Sequence, residues 1–108
     1  MALRPRLEGR NRNTTPDGVV SSSVTVTRFT SVKVADENEK RLFFHINNND
    51  TNRDFWVKLQ PAATDNDRKG IMVQGRSFWE MPTDNIYTGE ICVIADSFLP
   101  VQVYVTEY

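Results

Sequence analysis

The chain is short of nearly everything that usually identifies chemistry. Among its 108 residues stand one histidine, His45, and one cysteine, Cys92. A lone cysteine excludes an internal disulfide and a multi-thiolate zinc site, and a lone histidine excludes zinc held by several histidines. Any Ser-His-Asp or Cys-His scheme would have to run through His45, which sits beside Phe43 in strand-like sequence. An ordinary surface or interface histidine is expected there. No cofactor is implied. Long apolar runs are missing too: none approaches the ~18 residues of a membrane-spanning helix. The early arginines are not followed by the apolar stretch of a secretory signal. Met1-Ala2 has the form of a genuine start. Synthesis in a cytoplasm-like compartment is therefore expected, with no membrane partner. Cys92 falls in Ile91-Cys92-Val93-Ile94-Ala95, the setting of a small buried hydrophobe.

An excess of charge of either sign is also lacking, since 13 basic residues face 14 acidic ones. Without a basic body, nucleic acid is not an expected partner. The balance conceals an uneven distribution. Residues 1–16 carry Arg4, Arg6, Arg10 and Arg12 against Glu8, formally +3, whereas the remainder holds nine basic and thirteen acidic residues, formally −4. Residues 1–17 are expected to form an extended basic arm and residues 18–108 a single domain. Too poor in apolar residues to pack on itself, the arm suits lying along a partner or a neighbouring copy. A body of about ninety residues buries roughly 60–65% of its unfolded surface, so association would be a natural supplement to its stability.

What is abundant is period-two patterning. Val20, Val24, Val26, Val32 and Val34 fall on even positions, with Ser21, Ser23, Thr25, Thr27 and Lys33 between them. That alternation of β-branched and polar residues predicts half-buried strand, and Arg28, on the inward parity, marks a bend or a crossing between two strands. Leu42, Phe44 and Ile46 then alternate with Arg41, Phe43 and His45, and Phe55, Val57 and Leu59 alternate with Trp56, Lys58 and Gln60. The intervening Asn47–Asn52 is turn chemistry, so these two strands are expected to form a hairpin. Further short strands are predicted at 71–73, 77–81, 85–88, 90–95 and 101–107, separated by Gly75, Pro82-Thr83-Asp84, Gly89 and Pro100. No apolar set recurs at helical spacing. The expected fold is all-β: one small antiparallel domain of seven to nine strands, a two-sheet sandwich or a barrel.

Two acidic clusters resemble calcium loops superficially. Asn48, Asp50, Asn52 and Asp54 alternate oxygen ligands, but Arg53 stands where the loop needs glycine and Leu59 where it needs glutamate. Asp65, Asp67 and Gly70 recover the glycine, yet Arg76 takes the glutamate position. Both are expected to be polar turns, and no metal site is expected. Glu80, Asp84, Glu90 and Asp96 supply carboxylates, but glycoside hydrolysis needs two of them beside a sugar-sized cleft. Short strands leave little chain to build one. No catalytic residue is assigned, and a non-enzymatic role is expected. The aromatics are more informative. If Leu42, Phe44, Ile46, Phe55, Val57 and Leu59 line the core, Phe43 and Trp56 project from the opposite face, with Trp79 likewise offset from Phe78. Such aromatics mark a subunit or partner interface; cover by the chain itself and a sugar-stacking platform are the alternatives.

Five pieces occur in a recognisable order: Arg41-Leu42-Phe43-Phe44-His45-Ile46-Asn47, Asp54-Phe55-Trp56-Val57-Lys58-Leu59, Gly70-Ile71-Met72-Val73, Ser77-Phe78-Trp79-Glu80 and Ile86-Tyr87-Thr88-Gly89-Glu90-Ile91. From about Arg41 to Glu107 this order resembles a small β-domain of tailed-bacteriophage structural proteins. The resemblance covers about two thirds of the chain and leaves the arm outside it. It implies a virion component: a capsid decoration (cement) protein, a head fibre, or a tail or baseplate accessory. It brings no catalytic residues. The expectation is a structural protein on the capsid exterior, made in the host cytoplasm, that binds the outer surface of the major capsid protein and stabilises the head. Self-association, as a homotrimer, would run through Phe43, Trp56 and Trp79. Arg4, Arg6, Arg10 and Arg12 would lie over acidic capsid surface and bridge capsomers, adding avidity. The alternative is a head- or tail-fibre or baseplate module binding host glycans through Trp56 and Trp79.

Overall fold

Alternating patterns become strands in the computed structural model of the protein, which describes residues 20–62 and 65–108. There are eight among them: β1 (Val20–Val26), β2 (Val32–Ala35), β3 (Phe44–Asn48), β4 (Phe55–Lys58), β5 (Ile71–Val73), β6 (Phe78–Glu80), β7 (Ile91–Ala95) and β8 (Val101–Glu107). They form two four-stranded sheets, ordered β1-β8-β3-β6 and β2-β7-β4-β5, and every pairing is antiparallel. The fold is a sandwich and not a closed barrel. Strand pairs β1·β8, β2·β7, β3·β6 and β4·β5 nest inside one another, as a long double strand does when it is wound around a core. That is jelly-roll topology.

Inward-facing side chains of both sheets meet between them. Val26, Phe44, Ile46, Phe55, Val57, Val93, Val101 and Val103 have no solvent exposure. Each sits on the parity that faces the opposite sheet. Arg28 lies in the connection from β1 to β2, where the chain passes from one sheet to the other, a crossing, one of the two outcomes that its parity predicts. β2 carries a bulge between Lys33 and Ala35. The bulge lets Val34 and Ala35 both be buried although they are neighbours in sequence.

Three expectations fail. β3 and β4 are not a hairpin, because β3 pairs with β8 and β6 whereas β4 pairs with β7 and β5. Alternation reports which face of a strand is apolar, and the same apolar face serves in either sheet. Leu42 and Leu59 are not core; Leu42 is 68% exposed and Leu59 38%. Leu42 precedes β3, where its backbone N–H donates to the Tyr108 carbonyl. Residues 85–88 form no strand. Their backbone is used elsewhere: the Thr88 carbonyl accepts from the Asn38 N–H and the Tyr87 carbonyl from the Arg41 guanidinium.

The turns β1–β2, β3–β4, β5–β6 and β7–β8 gather at one end of the sandwich. The connections β2–β3 and β6–β7 lie at the other end, where Val20 of β1 and Phe44 of β3 both pair with Glu107 of β8. The described chain therefore begins beside its own C-terminus. Arg4, Arg6, Arg10 and Arg12 lie outside the described residues. No helix among the described residues is long and apolar enough to cross a membrane.

Candidate functional site

Exposed apolar side chains collect at the four-turn end. Phe29, from the β1–β2 turn, is 63% exposed, and Phe98 and Leu99, from β7–β8, are 71% and 52% exposed. The rings of Phe29 and Phe98 meet edge to face with centroids 6.0 Å apart. Arg28 places its guanidinium over the Phe98 ring, 6.0 Å from the centroid. Two connections that each cross between the sheets thus build one apolar knob with a cationic flank. Strand alternation does not disclose it, because these rings come from turns; Phe29 and Phe98-Leu99-Pro100 are the signal that the sequence offers.

The aromatics expected to share a face do not. Phe43 belongs to the outer side of the β1-β8-β3-β6 sheet. There Tyr108 and Phe43 stack at 5.0 Å and 19°, and His45 and Phe78 at 5.1 Å and 21°. Phe43 and His45 are nearly parallel at 6.3 Å, so four rings run in series along the sheet. Each turns a face to its neighbour. Trp79 points inward: it pairs with Ile46 and leans on Phe44 at 6.2 Å. Phe78, 63% exposed, is the outward member of that pair, because a strand alternates and β6 is in register with β3. Trp56 lies on the outer side of the other sheet, half-buried, its indole Nε1 donating to Asp96 across 3.3 Å.

Part of that second outer face, around Lys58 and Cys92, is covered by the chain itself. Lys58 and Cys92 point away from the core, yet Lys58 is 4% exposed and Cys92 not at all. The connection from β4 to β5 crosses over them as a strap. Lys58 Nζ donates to the carboxylate of Asp65 (2.8 Å) and to the carbonyls of Asp65 (3.1 Å) and Asp67 (2.9 Å), which uses all three ammonium protons. On the far side, Ser31 donates its N–H to Asn66 Oδ1 and its hydroxyl to the Asp65 carbonyl. The Lys58 ammonium, with help from Gln60 and the Asp67 N–H, holds the Asp65 carboxyl at about 2. Burial pushes the Cys92 thiol up. Cys92 is buried as expected, but beneath the strap and not between the sheets.

The clusters considered for calcium act through their own backbone. Asp50 Oδ1 accepts from the N–H groups of Asn52 and Arg53, and Asp54 Oδ1 from Gly75 N–H. Buried Asn48 donates to the carbonyls of Arg53 and Val73. The carboxylates weighed for hydrolysis are dispersed. Glu80 is on an outer sheet face, Glu90 accepts from Ala62 N–H, and Asp96 faces Trp56 and Arg68. Among the described residues no three His, Cys, Asp or Glu side chains group so as to hold a metal ion.

At the opposite end Arg41, with no side-chain exposure, ties three segments together. Nε donates to Glu107 Oε1 (3.0 Å), one terminal nitrogen to the carbonyls of Tyr87 (2.8 Å) and Gly89 (3.0 Å), and the other to the carbonyl of Asp36 (2.7 Å). Asp36, Glu37 and Glu39 of the β2–β3 connection are exposed around it. This acidic end is where residue 20 enters the sheet. Compared with family models, curated proteins and solved structures, the chain matches none.

Proposed function

We propose that the protein is a non-enzymatic structural component of a bacteriophage particle, a capsid decoration protein that docks on the outer surface of the major capsid protein. The observation that carries this reading is the knob of Phe29, Phe98, Leu99 and Arg28. It is an exposed apolar surface on two turns with a positive flank, the kind of surface that meets a protein partner. Jelly rolls occur among viral capsid domains, although the fold by itself assigns no role. The resemblance over Arg41–Glu107 points the same way. The basic arm is attached at the end away from the knob, so one molecule can reach two places on a shell. Arg4, Arg6, Arg10 and Arg12 would supply the second, charge-dependent contact, and the two together supply avidity.

Purified protein mixed with shells that lack it should co-sediment with them, and microscopy of intact particles should place it on the outside of the head. Phe98→Ser removes an exposed ring without touching the core, so the variant should fold and yet bind about tenfold or more weakly. Deleting residues 1–17 should weaken binding and reduce its salt sensitivity. Undiminished binding by both variants would sink the reading. The fibre alternative has less support, because Trp56 and Trp79 face different ways and the exposed stack turns ring faces to one another instead of to a sugar.

A further inference from the structure

The two sheets treat their outer faces differently. One is roofed in part by the chain's own strap, whereas the other, β1-β8-β3-β6, carries no such cover among the described residues. Register places its outward side chains in cross-strand rows: Ser23, Tyr104, Asn47 and Phe78 in one, Ser21, Thr106, His45 and Glu80 in the next. Thr25 and Gln102 begin a third, joined by a 2.8 Å hydrogen bond. In a chain that is 25% Asp, Glu, Lys and Arg, Glu80 is the one such residue in these rows. Phe78 and Tyr104 nevertheless stand 63% and 40% exposed. Depletion of charge with exposed Tyr and Phe is the composition of an interface core, whereas a solvent-facing sheet normally carries Lys and Glu.

We infer that this face packs against the same face of a second copy of the chain. Charge selects that occupant. Residues 17–108 are formally −4, so two bodies repel at most approaches, and this face is where they meet with little like charge between them. The side chains of Ser, Thr, Asn, Gln and Tyr both donate and accept, so the rows can satisfy an identical set. Phe78 and Tyr104 provide the anchors. The arm is a poorer match, because its four arginines would find one carboxylate there and several at the acidic end. This goes beyond the proposed function, which concerns the knob and the arm, and its test needs no shell, so the two can fail separately.

Light scattering during gel filtration of the full chain should show a dimer, because a face that meets its own copy closes at two. Tyr104→Lys sets like charges against each other across the contact and should raise the dissociation constant about tenfold or more, with the circular dichroism of the strands unchanged. Thr25→Lys, one row away, should act in the same direction and serves if Tyr104→Lys does not fold. Glu37→Lys, at the acidic end, should leave assembly intact. The inference is overturned if the full chain is a single copy at every soluble concentration, or if the lysine variants assemble as the parent does. It is also overturned if a single-copy chain begins to assemble once residues 1–17 are removed, since the arm would then be the cover.

Discussion

Arg41 is a polar side chain placed where an apolar one would ordinarily sit, and four hydrogen bonds explain its tolerance there. The planar guanidinium reaches carbonyls on the β2–β3 and β6–β7 connections while keeping Nε on Glu107 of β8. A lysine ammonium is a point donor and cannot span that fork. Arg41→Lys should therefore leave buried carbonyls unpartnered and cost about 2–3 kcal/mol, read from the shift of the urea unfolding midpoint. Arg68→Ala is the control. Its ion pair with Asp96 is long, 3.8 Å, and both side chains are more than a third exposed, so its loss should change stability by less than about 0.5 kcal/mol. None of the Arg41 network could be seen in the sequence, because three of its acceptors are backbone carbonyls of connections whose course is unknown until the strands pair. The same limit reversed Phe78 and Trp79. Alternation stated that one faces in and one out, but only the pairing of Trp79 with Ile46 decides which.

Residues 65–70 of the β4–β5 connection form no regular structure, yet they are held at named points. Lys58 anchors it in the middle, Ser31 beyond, and Gly70 closes it. Gly70 has φ +112°, and a Cβ there would run into the Val57 carbonyl, so the strap can rejoin the sheet only through glycine. Its polarity was legible from Asp65, Asp67, Lys69 and Gly70, but its path over Cys92 was not, since a loop's composition does not tell which surface it lies on. Because the Asp65 carboxyl is held at about 2, against about 3.9 in an unfolded chain, it favours the folded state above about pH 4. That contribution falls away as the pH drops toward 2. Urea midpoints measured across this window should decline more steeply for the parent than for Asp65→Asn, in which the titrating group is absent. Lys58→Met should release the strap at neutral pH. Alkylation of Cys92 would then quicken about tenfold or more, as local opening replaces deeper unfolding.

At the scale of the molecule, the sequence pattern gave the class and the number of strands closely, since eight lie within the expected seven to nine. The winding was hidden. A hairpin between β3 and β4 looked natural from their short polar connection, yet in the jelly roll this turn carries the chain from one sheet to the other, a distinction that residue alternation does not encode. The surfaces were partly legible. Aromatic Phe43 and the basic composition of the arm stood out, whereas the knob at the four-turn end needed two turns 69 residues apart in sequence to be brought together, as Phe29 and Phe98 are.

The position of β8 has a consequence in time. Of the described strands it comes last in chain order, yet it lies between β1 and β3, so during translation β1 waits without its sheet partner until β8 has been made. Folding cannot proceed strand by strand behind the ribosome; it must await β8, and the remote pairing makes it slow. Removal of residues 101–108 should accordingly yield aggregate, with no soluble fragment in centrifugation assays. A chain cut short before β8 would present no folded surface to a partner.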